Sequence, residues 1–162
     1  MNILPTSRFP RRQGAQGGSI AIEMALVIVT LVFLLTVPIF FARVFWYYSV
    51  AQKAAHDAVR FLATAPQAEL RTPGPGNTPS SVVAVARAIA DAETTVLDPV
   101  MASKYIDIDC NFGTCGDGVP STVRVYIHMR MRDDLFAPYT APFYGQDGML
   151  IKAEVTMRYV GN

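Results

Sequence analysis

The chain has 162 residues, of which 51% are hydrophobic, and its 14 basic and 13 acidic side chains leave a net charge of +1. A nearly neutral chain without a basic, aromatic-interleaved cluster is not typical of a nucleic-acid-binding protein. The sequence also contains no Walker loop, Rossmann glycine pattern, zinc-finger spacing or nucleophile elbow. We therefore predict a non-enzymatic protein with no catalytic residues, no metal site, no cofactor and no nucleic-acid partner.

Residues 1–18 form a basic leader. This segment contains Arg8, Arg11 and Arg12 and no acidic residue. Positive charge ahead of an apolar run marks the cytoplasmic side of a membrane. We therefore expect the chain beyond the apolar run to lie outside the cytoplasm.

An apolar run follows the leader from Ser19 to Ala42, and its only charge is Glu23. At about 1.5 Å of rise per residue, a helix of this length crosses a hydrocarbon core of roughly 30 Å. A secretory signal peptide fits poorly, because the run exceeds the usual apolar length of about 7 to 15 residues and no small-x-small site closes it. We predict a transmembrane helix over residues 19–43. An uncleaved signal anchor and an anchor that loses its leader both remain open.

The order of residues at the junction favours removal of the leader. Gly17 and Gly18 end the leader, Ser19 follows, and Glu23 lies one helical turn further on. Glycine lacks a Cβ, which lets a peptidase reach the backbone. Cleavage after Gly18 would leave the apolar helix intact, with its new amine on Ser19.

This junction, Arg-Arg-Gln-Gly-Ala-Gln-Gly-Gly followed by Ser-Ile-Ala-Ile-Glu-Met-Ala-Leu-Val, resembles a type IV prepilin processing site. More narrowly, it resembles the TadE-like minor pseudopilins of the tight-adherence (Flp) pilus system. In that family a glutamate and an Ala-Leu pair open the membrane helix, and an alanine-rich segment ending in arginine follows, here Ala54 to Arg60. Met24 stands where the family often has an aromatic residue. The resemblance covers about residues 11–62.

The resemblance implies a structural and assembly function, that of a minor pseudopilin processed by a prepilin peptidase after Gly18. The implied partners are that peptidase, other minor pseudopilins or the major Flp pilin, the inner-membrane pilus assembly platform, and membrane lipid. The implied location is the inner membrane, with a cytoplasmic N terminus and a periplasmic C-terminal domain, and then the pilus.

The resemblance also implies an assembly function for Glu23. Its carboxylate can pair with the Ser19 amine of an adjacent subunit, because an opposite charge largely offsets the cost of burying an amine. The alternative is an interfacial carboxylate that reaches the lipid headgroups.

The helix is predicted to continue beyond the membrane. Arg43, Trp46, Tyr47 and Tyr48 are typical of the outer membrane interface. Apolar residues at four-three spacing then extend the helix to Ala65, where Pro66 ends it: Val44, Tyr48, Ala51, Ala55, Ala58 and Leu62. A second helix is predicted over residues 79–97, with Thr78 as its N-cap and Pro79 in its first turn.

Three C-terminal segments alternate apolar and polar residues: Tyr105 to Cys110, Val123 to Arg132, and Met149 to Tyr159. Period-two alternation predicts a half-buried, three-stranded antiparallel sheet. With the helices on its apolar face, residues 44–162 are predicted to form an extracytoplasmic, pilin-like α+β domain.

Two further features concern the surface of that domain. Cys110 and Cys115 are predicted to form a short disulfide outside the cytoplasm, with a redox or metal-binding function as the alternative. The loop from Asp133 to Gly148 carries four aromatic residues that either contact a partner or pack against the sheet edge: Phe136, Tyr139, Phe143 and Tyr144.

The main alternative function is an uncleaved, single-pass anchored extracytoplasmic binding or sensor protein. In that case Gly18 is never cut and Glu23 has no function in assembly. A third candidate function, less favoured by the sequence, is that of an enzyme anchored in the membrane.

Overall fold

The computed structural model describes residues 17–76, 78–111, 113–116, 118–132, 142, 145 and 147–161. The chain divides into two compact units, the first ending at Phe41 and the second beginning at Ala42. Helix α1 runs from Gly17 to Thr64 with Pro38 inside it, and it contributes residues to both units. The predicted long N-terminal helix is confirmed.

Two more α-helices belong to the second unit: α2 over Gln67–Arg71 and α3 over Ser81–Thr94. A 3-10 helix over Thr95–Val100 follows α3 directly. The sequence analysis did not predict α2, which is a single turn after Pro66. The second predicted helix, over residues 79–97, is shorter in the structure. Helix α3 ends at Thr94 because the chain tightens there into the 3-10 helix.

The predicted N-cap of that helix was wrong. Ser80, not Thr78, caps α3, because the Ser80 Oγ accepts a hydrogen bond of 3.4 Å from the backbone N–H of Val83. The Thr78 hydroxyl instead donates to the carbonyl oxygen of Pro75 at 3.0 Å. Pro79 consequently lies before the helix and not in its first turn.

Three antiparallel strands form the sheet: β1 over Met101–Cys110, β2 over Thr122–Met131 and β3 over Met149–Arg158. Their order is β1-β2-β3, so each strand pairs with its neighbour in sequence. In the central register Ile127 lies between Ile106 of β1 and Ala153 of β3. The predicted α+β fold with a three-stranded antiparallel sheet is confirmed.

The core of the second unit contains the apolar face of the sheet and buried residues of α1 and α3. Every second residue of β2 is buried, as the alternation predicted: Val123, Val125, Ile127, Met129 and Met131. The buried stripe of α1 contains mostly small residues: Tyr47, Ala51, Ala54, Ala55, Ala58, Val59, Leu62 and Ala63.

Two aromatic residues of α1 differ from their predicted positions. Tyr47 was predicted at the membrane interface, yet it is only 1% exposed and belongs to the core. Tyr48 was predicted both at the interface and in the apolar stripe, and its exposure of 43% shows that it is not part of the buried stripe. The stripe actually recurs through Tyr47, Ala51 and Ala54, which is one residue out of phase with the predicted start.

Candidate functional site

The apolar part of α1 exposes nearly all of its side chains. Helix residues Ile20–Thr64 include an 18-residue window with a mean hydropathy of 2.8, none of which is buried within the protein. Leu34 is 71% exposed and Ile22 is 70% exposed. Apolar surface on this scale is not stable in water and needs lipid or protein around it. By length and composition this helix can cross a membrane once.

Gly18 lies in the first turn of α1, and its surroundings are open. Apart from its chain neighbours and the nearby backbone of α1, a Cβ built at this position would meet no atom of the described residues within 4 Å. The fold therefore does not require glycine here. A need for glycine at position 18 would have to come from another molecule, such as a peptidase that approaches the backbone.

Glu23 is the only acidic residue in the apolar segment of α1, and its side chain is exposed. Because an α-helix advances about 100° per residue, positions 19 and 23 lie on the same side of the helix, one turn apart. Among the described residues, no salt bridge or hydrogen bond of Glu23 occurs within the chain. A carboxylate in this setting needs a partner outside its own chain or access to water.

Several predicted site residues lie outside the described residues. These are the leader arginines Arg8, Arg11 and Arg12 and the four loop aromatics Phe136, Tyr139, Phe143 and Tyr144. The membrane orientation inferred from the leader arginines and the partner surface inferred from the loop aromatics therefore stay predictions.

Cys110 and Cys115 form a disulfide with a Cα–Cα distance of 4.8 Å. The intervening turn is held by Asn111, whose φ of 53° lies in the left-handed region that Asn tolerates. Its side-chain Oδ1 accepts hydrogen bonds from the Ser121 N–H at 2.7 Å, the Ser121 hydroxyl at 2.8 Å and the Thr122 N–H at 3.1 Å. The disulfide and Asn111 thus fix the end of β1 against the start of β2.

Charged side chains cross the outer face of the sheet in register. Arg124 of β2 donates to Glu154 of β3 at 2.8 Å and to Asp109 of β1 at 3.3 Å. The Tyr126 hydroxyl also donates to Asp109 at 2.7 Å, and the Arg124 guanidinium lies 4.2 Å from the centre of the Tyr126 ring. This network links all three strands. The sequence indicated which face these residues share, but not which side chains meet.

A cleft of about 420 Å³ lies between α2, α3, β1 and the disulfide turn. Buried Leu70, Val83 and Ile108 contribute apolar surface to it. Arg71 also lines it, as does Arg87, whose guanidinium lies 3.6 Å from a carboxylate oxygen of Asp107. Sequence reasoning missed this cleft, because its walls come from four elements that are distant along the chain.

The described residues contain no group of three or more His, Cys, Asp or Glu side chains arranged to hold a metal ion. His56 is exposed on α1, and His128 lies beside Tyr126 on the outer face of β2, with ring centroids 6.2 Å apart. In the register of the sheet His128 lies opposite Tyr105, whereas Cys110 lies opposite Val123.

The family described as TadE-like protein matches residues 18–60. The resemblance to this family is thereby confirmed over that segment, which starts at Gly18, includes Glu23 and ends at Arg60 within α1. Neither the curated proteins nor the solved structures provide a match.

Proposed function

From a TadE-like segment at residues 18–60, we propose that this protein is a minor pseudopilin of a tight-adherence (Flp-type) pilus. It inserts in the inner membrane through α1, loses its leader to a prepilin peptidase after Gly18, and then joins the pilus or its assembly complex. The observation that carries the proposal is the coincidence of the family match with an apolar helix whose side chains are almost all exposed.

Three features of the chain support this function. The exposed apolar surface of α1 can be covered by lipid before assembly and by neighbouring subunits afterwards. Gly18 has open space around it, as a peptidase requires. Glu23 lies on the side of the helix where the amine of Ser19 would appear after cleavage, and it has no described partner in its own chain.

The orientation is part of the proposal. The leader arginines favour a cytoplasmic N terminus, which leaves the second unit in the periplasm. The Cys110–Cys115 disulfide supports this location, because disulfides form and persist in oxidising compartments. The expected partners are the peptidase, other pseudopilins or the major pilin, and the inner-membrane assembly platform.

The mature N terminus tests the proposal. The full chain is expressed with and without a cognate prepilin peptidase, and the N-terminal residue is determined by mass spectrometry of the membrane fraction. We expect Ser19 with the peptidase and the intact leader without it. Gly18→Ala should block or slow cleavage without disturbing the fold, because apart from its chain neighbours and the nearby backbone of α1 the added methyl group meets no atom of the described residues within 4 Å.

A matched control replaces a glycine away from the junction, such as Gly113→Ala, where an added Cβ makes only an ordinary contact of 3.9 Å with the Cys110 carbonyl oxygen. This variant should be processed like the natural sequence. An intact Met1 terminus in piliated cells would contradict processing and favour the anchored binding or sensor protein instead.

A further inference from the structure

The outer edge of β3, which is the edge that faces away from β2, has backbone groups without hydrogen-bond partners among the described residues. The Tyr159 N–H donates to the Ser121 carbonyl oxygen at 3.0 Å on the β2 side, and the Val160 N–H donates to Ala63 at 2.9 Å on the other side. Because N–H groups alternate in direction along a strand, the even-numbered residues of β3 direct their N–H and C=O groups to the outer edge. Among the described residues, none hydrogen-bonds to these groups between positions 150 and 158.

The opposite edge of the sheet, along β1, is protected by its own chain. The Cys110 N–H donates to the Gly113 carbonyl oxygen at 2.7 Å, and the Ile108 N–H donates to the Asp107 side chain at 3.0 Å. The pairing of β1 with β2 also shifts between Met101 and Ser103. Irregular pairing and acceptors within the chain are devices that keep an edge strand from adding another strand. The described part of β3 has neither a shift in pairing nor an acceptor within the chain for its outer N–H groups, although it carries charged side chains.

The side chains along the β3 edge indicate which segment fits it. On the helix side of the sheet, Met149, Val155 and Met157 are only half-buried, although their counterparts on β2 are fully buried. On the outer side, Lys152 and Arg158 are exposed, and within the described chain they form no ion pair. The acidic residue between them, Glu154, is already bound to Arg124 at 2.8 Å. The edge therefore has uncovered apolar surface on one side and unneutralised positive charge on the other.

We propose that the outer edge of β3 is a docking site for one extended segment of a second protein, which adds to the sheet as a fourth strand. This segment alternates aliphatic residues, which cover Met149, Val155 and Met157, with polar residues that include carboxylates opposite Lys152 and Arg158. A second copy of β3 is a poorer occupant, because it would bring the same two unneutralised positive charges. The docking site does not depend on leader cleavage or on pilus assembly. An experiment that contradicts the proposed function would therefore leave this proposal intact, and the reverse also holds.

Amide hydrogen exchange of the full chain in detergent micelles tests the site residue by residue. In the free protein, the amides of Lys152, Glu154 and Thr156 should exchange faster than those of Ala153 and Val155, which face β2. The probe is the capped peptide Asp-Val-Thr-Val-Thr-Val-Glu-Val-Thr, whose acidic residues lie opposite Arg158 and Lys152 in an antiparallel register. Binding should slow the three even-numbered amides and leave the two odd-numbered amides unchanged.

Two control peptides separate backbone pairing from charge. A version with N-methyl groups on the two central threonines cannot donate hydrogen bonds to β3 and should not protect its amides. A version with lysine in place of both acidic residues should bind about threefold to tenfold more weakly, since like charges across a strand pair are destabilising.

A charge reversal in the protein supplies the matched variant. Lys152→Glu should reverse the preference, so that the lysine peptide binds more tightly than the acidic peptide. Arg60→Glu makes the same change of charge at an exposed position of α1, away from the sheet edge, and should leave both affinities unchanged.

The proposal is overturned if the even-numbered amides of β3 are already protected in the free chain, because the edge is then covered by its own chain or by a second copy. Sedimentation of the same sample identifies the second copy as a dimer. It is equally overturned if the acidic peptide changes no amide of β3, or if Lys152→Glu and Arg60→Glu alter binding to the same extent.

Discussion

The phenolic hydroxyl of Tyr159, just after β3, donates a hydrogen bond of 2.7 Å to the backbone carbonyl oxygen of Ala65, just after α1. These two residues are 94 positions apart in the chain. Beside them, the Val160 N–H donates to the Ala63 carbonyl oxygen at 2.9 Å. Ala63 lies in the last turn of α1 and Ala65 directly follows the helix, and carbonyl groups at a helix C terminus lack partners within the helix. The end of the sheet therefore completes the end of α1.

Tyr159→Phe should destabilise the second unit by about 1 to 2 kcal/mol. The substitution keeps the aromatic ring of a residue that is only 8% exposed. It removes the hydroxyl group, so the Ala65 carbonyl oxygen loses its hydrogen-bond donor. Urea unfolding of the full chain in detergent, followed by circular dichroism, measures the change. Tyr105→Phe is the matched control, since Tyr105 is 61% exposed and should lose almost nothing.

The free energy of unfolding should fall as the pH rises above about 10. Burial raises the pKa of Tyr159 above its ordinary value of 10.0, although Arg71 partly opposes this shift. Burial alone would lower the pKa of Lys104, but hydrogen bonds to Asp91 and Asp98 outweigh burial and raise it above 10.5. In both cases folding favours the protonated form. The stabilisation is therefore complete below the ordinary pKa and is lost as the pH rises through the higher folded-state pKa.

Urea unfolding at pH 8, 9, 10 and 11 measures this dependence. The decline should be shallower in Tyr159→Phe and in Lys104→Gln, since each variant removes one of the two titrating groups. A decline of equal steepness in both variants and in the natural sequence would contradict the assignment to these residues.

Reduction of the Cys110–Cys115 disulfide should lower stability by about 2 kcal/mol, the low end of the usual range, because the closed loop is short. The paired variant Cys110→Ser/Cys115→Ser should reproduce this loss without reductant. Asn111→Ala tests the other restraint on the same turn, because it removes an acceptor of three hydrogen bonds while the disulfide stays intact. Two alkylated free thiols in protein recovered from the envelope would show that the bond does not form there.

Sequence periodicity predicted the elements that bury one face. Alternation in β2 identified all of its buried residues. Successive side chains of a strand point to opposite faces of the sheet, and in this sheet one face belongs to the core and the other faces solvent. The prediction failed where the decisive contact is tertiary. Tyr47 and Tyr48 are chemically alike, and only the position of the sheet determines which of them is buried. Thr78 and Ser80 are both good capping residues, and the turn that engages Thr78 through Pro75 leaves Ser80 as the cap.

The candidate site was predictable for a different reason. Gly18, Ser19 and Glu23 lie within six residues, so their spacing on one helix follows from the sequence alone. Other features depend on elements that are far apart in the chain. The Tyr159–Ala65 hydrogen bond and the cleft beside Arg71 bring such elements together, and the open edge of β3 depends on which strands pair. Local patterns carry no information about such pairs.

Glu23→Gln should separate membrane insertion from pilus assembly. The substitution keeps the shape and hydrogen-bonding capacity of the side chain and removes only its charge. Insertion and cleavage after Gly18 should survive, because a neutral side chain enters a membrane helix at lower cost than a carboxylate. If Glu23 neutralises the Ser19 amine of a neighbouring subunit, that amine would remain buried without an opposite charge. A loss of this kind costs about 3 to 5 kcal/mol per contact, which is enough to prevent stable assembly.

The processed variant should therefore accumulate in the inner membrane and fail to support pili in a strain that carries no other copy. Mass spectrometry of the mature terminus and electron microscopy of surface pili measure the two steps separately. Thr30→Val is a control substitution on the same helix, since in the described part of the chain the Thr30 hydroxyl donates to the Leu26 carbonyl oxygen, one turn earlier in α1, and it should leave piliation intact. Normal piliation with Glu23→Gln would exclude charge pairing as the assembly mechanism, even if Ser19 is the mature terminus, and would leave Glu23 as an interfacial carboxylate.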